Sequence, residues 1–132
     1  MQEILNQETL IVYWIESSDD DYKTMLDLFN TGNYHWTLFM GHLVIEKLLK
    51  AYFVKEKNEY PPLIHDLRRI GERAGLIFDL DKTIVIETIS QFNIRARYDD
   101  YKKQFYKLCT QEYTSEWIEK IQEIRLWIKT ML

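Results

Sequence analysis

Cysteine occurs once, proline twice and glycine four times in this sequence. With Cys109 alone, an intrachain disulfide and any multi-cysteine zinc or iron–sulfur site are excluded, and the usage suits a reducing compartment. So little glycine and proline excludes a collagen-like chain, and 46% hydrophobic with 29% charged residues excludes a disordered one. No stretch approaches the roughly 18 apolar residues of a membrane-crossing helix. The opening MQEILNQETL has neither the basic start nor the unbroken apolar run of a secretory signal. A soluble, cytoplasmic protein with no membrane partner is expected. An excess of positive charge is missing too: 17 basic residues against 21 acidic leave −4, so the whole surface is not the basic field of a duplex-DNA binder.

What is present is helical periodicity across 132 residues, the length of one average domain. From Leu10 to Asn30, Ile11, Ile15, Tyr22, Leu26 and Phe29 share one face, with Ser18 or Asp19 closing the gap, and one continuous helix is expected up to a stop at Thr31-Gly32-Asn33. A second helix is expected from Tyr34 to Glu56, its inner stripe including Trp36, Phe39, Met40, Leu43, Leu48 and Ala51, with Lys47, Lys50 and Lys55 facing outward or toward a partner. Pro61-Pro62 ends it, because proline lacks an amide donor and disfavours helix in the residue before it. A short helix follows from His65 to Ala74. The next, Lys82 to Phe92, buries Ile84, Thr88, Ile89 and Phe92; between Asn93 and Tyr113 mixed charges and aromatics read as a loop with one helical turn. From Thr114, residues Trp117, Ile121, Ile124, Ile128 and Met131 recur at steps of four, three, four and three. The expected fold is all-α: one up-and-down antiparallel bundle of four long helices and one short one, forming a single domain over residues 1–132.

Chemistry-bearing motifs are sparse. There is no phosphate-binding glycine loop, no His-Glu-x-x-His pair, no calcium loop and no nucleophile elbow. His35, His42 and Glu46 lie along one helix but span more than about 10 Å at about 1.5 Å per residue, so they read as ordinary polar residues and no metal is expected. Asp66 suits the N-terminus of the short helix and His65 a hydrogen bond to another helix. One segment remains, Arg95-Ala96-Arg97-Tyr98, followed by Lys102, Lys103 and Lys107 with Phe105 and Tyr106 between them. Such residues bind phosphates and stack a base, or else Asp99 and Asp100 neutralise them in a solvated ion-pair loop.

In order along the chain, Trp14-Ile15 with Asp21, Gly32-Asn33-Tyr34 with Phe39, Glu46-Lys47-Leu48-Leu49-Lys50-Ala51, Ile64-His65-Asp66-Leu67 and Arg97-Tyr98 resemble the HEPN family, the higher-eukaryote and prokaryote nucleotide-binding domain. The resemblance spans most of the chain. It implies an up-and-down helical bundle, usually a homodimer with a cleft at its interface, and structural motif roles for Trp14, Glu46, Lys47, Lys50, His65 and Asp66. Many members are metal-independent ribonucleases whose signature is Arg followed after four to six residues by His. Here all three histidines precede every arginine, so the signature is missing and no catalytic residue is assigned. The chain looks more like the stand-alone branch encoded beside a minimal nucleotidyltransferase, a toxin–antitoxin-like pair. It departs from that branch in having Leu43 and Val44 where Gln and a small residue are common, and Asp99 where proline usually follows Arg-Tyr. The resulting expectation is a non-catalytic nucleotide- or RNA-binding module without a cofactor. In it Arg97 clamps phosphate, Arg95 and Tyr98 line the same cleft, and Lys102 and Lys103 steer. The alternatives are a divergent ribonuclease in which Arg95 or Arg97 works with His65 brought near in space, and a structural adaptor.

Overall fold

The computed structural model describes residues 6–132 apart from the side chain of Asp99; the first residues of the stretch inspected for a secretory signal, 1–5, lie outside the described residues. Among the described residues six helices follow one another: α1 (Gln7–Asn30), α2 (Tyr34–Lys57), α3 (Leu67–Arg73), α4 (Leu80–Arg97), α5 (Asp99–Leu108) and α6 (Gln111–Thr130). The all-helical class is as expected, with no strand among the described residues and no helix among them long and apolar enough to cross a membrane.

Asn6 caps α1 by accepting the Thr9 amide, and the helix runs unbroken through the acidic stretch because Ser18 is buried and donates its hydroxyl to the Val44 carbonyl at 2.8 Å. Gly32, at φ 78°, supplies the left-handed residue that lets the chain reverse. The paired contacts Gln7–Val54, Ser18–Val44 and Asp21–Lys47 set α2 antiparallel to α1. α2 touches every other helix, which is why its sequence is apolar nearly all round. Gly41 lets α6 come close: a Cβ there would stand 2.4 Å from Ile121 Cδ1 and 3.3 Å from Met25 Sδ. The expectation for Lys50 is overturned, since it is 6% exposed and ion-paired inside the bundle. A carboxylate one turn earlier, Glu46, makes that burial tolerable.

Asp66 caps α3 by accepting the Arg69 amide, and Gly75 at φ 88° follows its end. In α4 the inner face is Ile86, Ile89, Phe92, Asn93 and Ala96, whereas Ile84, expected inside, is 57% exposed. The loop expected from Asn93 to Tyr113 is instead helix: α4 runs on to Arg97, Tyr98 alone is extended (φ −87°, ψ 130°), and α5 begins at once. Phe105 explains why this charged segment is held. It is fully buried against Phe92, ring centres 5.4 Å apart, and one such side chain contributes about 1.5–3 kcal/mol. The bundle thus has an additional helix beyond the expected five. Across its other face, α6 joins α1 through Arg125 and Lys129 on Asp19, with the Arg125 guanidinium 3.9 Å from the Tyr22 ring centre.

Candidate functional site

Two polar constellations stand out, one inside the bundle and one at the α2–α4–α5 surface. The inner one gathers four of the six residues given structural motif roles, Trp14, Glu46, Lys50 and His65. Glu46, 4% exposed, accepts from Lys50 Nζ at 3.3 Å and from His65 Nδ1–H at 2.8 Å, and Lys50 lies 5.3 Å from the centre of the Trp14 ring. Lys47 leaves this group to pair with Asp21 at 2.6 Å, and Asp66 serves as the α3 cap. His42, expected to be an ordinary polar residue, is wholly buried. Its Nε2 lies 3.1 Å from the His65 carbonyl, which can only accept, so Nε2 carries the proton and Nδ1 is left without a partner. Burial holds the His42 pKa below the usual imidazole range despite the nearby Glu46 carboxylate. The 64–67 segment is therefore fixed at three points: the His65 ring, the His65 carbonyl, and the Leu67 amide donating to Ser90 Oγ at 3.2 Å. With Nδ1–H committed to Glu46, the other nitrogen of the exposed His65 ring is free on the rim of a 570 Å³ cleft between α3 and α4. That cleft is of mixed charge, because Arg68 is paired with Glu72 and Glu87 along its wall.

The surface constellation has a different character. Here helical geometry divides the arginines, since residues two apart on a helix point nearly opposite ways. Arg95 turns to Phe105, 5.0 Å from its ring centre, while Arg97 lies over Phe39 at 5.6 Å and beside its neighbour Tyr98 at 5.7 Å. Phe39 meets Trp36 edge to face at 5.7 Å, and Lys102 sits 5.2 Å over Trp36. Cations and rings thus form one row, Arg97–Phe39–Trp36–Lys102, which joins α4, α2 and α5. Arg97 commits only its Nε–H, donated to the Asn93 carbonyl at 3.0 Å, which leaves the terminal nitrogens open to solvent. At the Lys102 end a groove of 780 Å³ is lined by His35, Trp36, Lys102, Lys103, Tyr106 and Lys107, with no carboxylate among the described side chains. Among the described side chains, none of Arg95, Arg97, Lys102, Lys103 or Lys107 is in an ion pair. Burial, helped by the Lys102 ammonium, lowers the His35 pKa, so this ring adds aromatic surface rather than charge.

The structure therefore brings Arg97, Tyr98, Lys102 and Lys103 to one side and turns Arg95 away from them. Phe105, expected among the stacking rings, is instead a core residue. Trp36 and Phe39, expected in the inner stripe of α2, pack on the core with one side and remain partly exposed as platforms on the other. Their crowding with Tyr34 and His35 in the first turns of α2 was the available signal. A mobile lysine over Trp36 is no obstacle to a ligand: an exposed cation–π contact is worth about 0.5–1 kcal/mol, less than the roughly 1–3 kcal/mol of a stacked base. Among the described residues no three of His, Cys, Asp and Glu are arranged to hold a metal ion.

No curated protein and no solved structure matches the chain significantly. The family model of the HEPN domain matches residues 11–131, a span that takes in both constellations. The chain belongs to the HEPN domain family.

Proposed function

We propose that this HEPN domain is a non-catalytic module that binds a nucleotide or RNA through its phosphates, acting in the cytoplasm as a homodimer beside a minimal nucleotidyltransferase in a toxin–antitoxin-like pair. The observation that carries the binding is the Arg97–Phe39–Trp36–Lys102 row, which continues into a groove where the described side chains include three lysines and no carboxylate, in a molecule of net charge −4. Arginine's planar fork suits phosphate oxygens, the lysines supply point charges, and the rings accept a base face. Titration of short labelled RNA and of ATP at low and raised salt tests this, with Arg97→Ala and Lys102→Ala alongside. Binding that weakens with salt and in both variants supports the module, and for RNA each lost phosphate contact lowers the salt slope by about 0.7. No binding to either ligand overturns it in favour of a protein–protein adaptor.

A second reading, a divergent metal-independent endoribonuclease, has the Glu46–His65 pair in its favour. A carboxylate that fixes the tautomer and leaves the outer imidazole nitrogen free is the arrangement of a general base. Cleavage of a short RNA by the native protein, lost in His65→Ala, would support that reading. Intact RNA after prolonged incubation would remove it.

A further inference from the structure

We infer that the surface takes a single-stranded oligonucleotide, with two consecutive nucleotides astride the His35–Tyr106 ring pair, rather than a mononucleotide; this rests on the binding function proposed above. The lysine groove does not end at those rings. On their other side lies a second hollow of 310 Å³, bounded by Gly32, Tyr34, Cys109 and Thr110. Both hollows share His35, Tyr106 and Lys107 as a wall, the two rings meeting edge to face with centres 5.4 Å apart. Each volume falls in the range of about 300–1,000 Å³ common for small-molecule sites, and a base in each would leave the linking phosphate at Lys107 on the shared rim. His35 Nδ1 is buried without a partner in this wall, a polar atom the free protein leaves unsatisfied. The second hollow is open at its α1–α2 end, where a Cβ built on Gly32 meets nothing within 4 Å. A duplex does not fit this arrangement, because its base faces are already stacked on one another.

The test is calorimetric titration of the full chain at low salt with AMP, with the 5′-phosphorylated dinucleotide pApA as RNA and as DNA, and with an eight-nucleotide single strand and its duplex. The dinucleotide is expected to bind at least about tenfold more tightly than AMP, with little gain from further length and weaker binding of the duplex. The RNA and DNA arms identify the sugar. Gly32→Asp, which adds a carboxylate to the second hollow, lowers pApA affinity toward that of AMP, whereas Gly32→Asn makes the same backbone demand without charge and retains it. Equal affinities for AMP and pApA, or equal losses in the two Gly32 variants, overturn the two-nucleotide site and leave the binding function standing. Absence of binding by every ligand overturns both.

Discussion

Lys50 carries its ammonium into the bundle and finds one carboxylate, Glu46, and one aromatic face, Trp14. Removing the carboxylate alone strands a buried charge. Glu46→Leu is therefore expected to cost about 3–5 kcal/mol, and Lys50→Met added to it to restore most of the loss, because an apolar pair of similar volume replaces a buried ion pair at little cost. Urea unfolding at neutral pH checks both steps. His42 makes a pH prediction. Its folded-state pKa lies below the usual 6.5 because the ring is buried, so the unfolded chain takes up a proton first as pH falls. Stability then drops below about pH 6.5, by at most about 1.4 kcal/mol per pH unit for each such histidine, until the folded pKa is reached. His35, lowered for a similar reason, adds to the same slope. Urea midpoints through this range should fall, and His42→Gln should make the fall shallower; an unchanged slope in the variant would contradict the assignment. Neither residue's environment was legible beforehand. Periodicity says which way a position on an isolated helix points, but not that neighbours on all sides would enclose the polar face of α2.

Helix α2 is the element on which the others are assembled, and Gly41 is where the approach is tightest. Alanine there would gain up to about 1 kcal/mol in helix propensity, yet its Cβ collides with the end of Ile121. Overpacking costs about 1–3 kcal/mol, so Gly41→Ala is expected to be net destabilising by roughly 1 kcal/mol, and Gly41→Ala with Ile121→Val less so. Thermal unfolding of the single and double variants reads the difference. The strongly periodic elements α1 and α6 were legible almost to their ends, since Ile15, Tyr22 and Leu26 or Trp117, Ile121 and Ile128 repeat over several turns, and α2 was bounded by Gly32-Asn33 and Pro61-Pro62 rather than by its period. Helix α5 was not. Among the described side chains within its bounds Phe105 is the only one that is fully buried, so a helix held by one deep anchor leaves almost no period to read. The same sparseness left its charges on the surface, which hid the element and supplied the groove.

At the scale of the molecule, the candidate binding surface is contributed by α2, α4 and α5, while the fold is closed elsewhere by α1 and α6 on α2. Because α2 is in contact with every helix, loss of any long helix uncovers the same central core, and unfolding is expected to be a single transition. Far-UV circular dichroism and tryptophan fluorescence should trace coincident urea curves; separated midpoints would show that a part of the bundle opens alone. The chain order of this central helix also shapes its birth on the ribosome. From Lys57, the end of α2, to Gln111, the start of α6, the numbering advances by 54. At about 5–20 residues per second, synthesis of that interval takes roughly 3–11 seconds. For that long the nascent chain lacks the helix whose Ile121 covers Gly41, and what shields that side in the meantime is whatever the cell supplies to hold unfinished proteins apart.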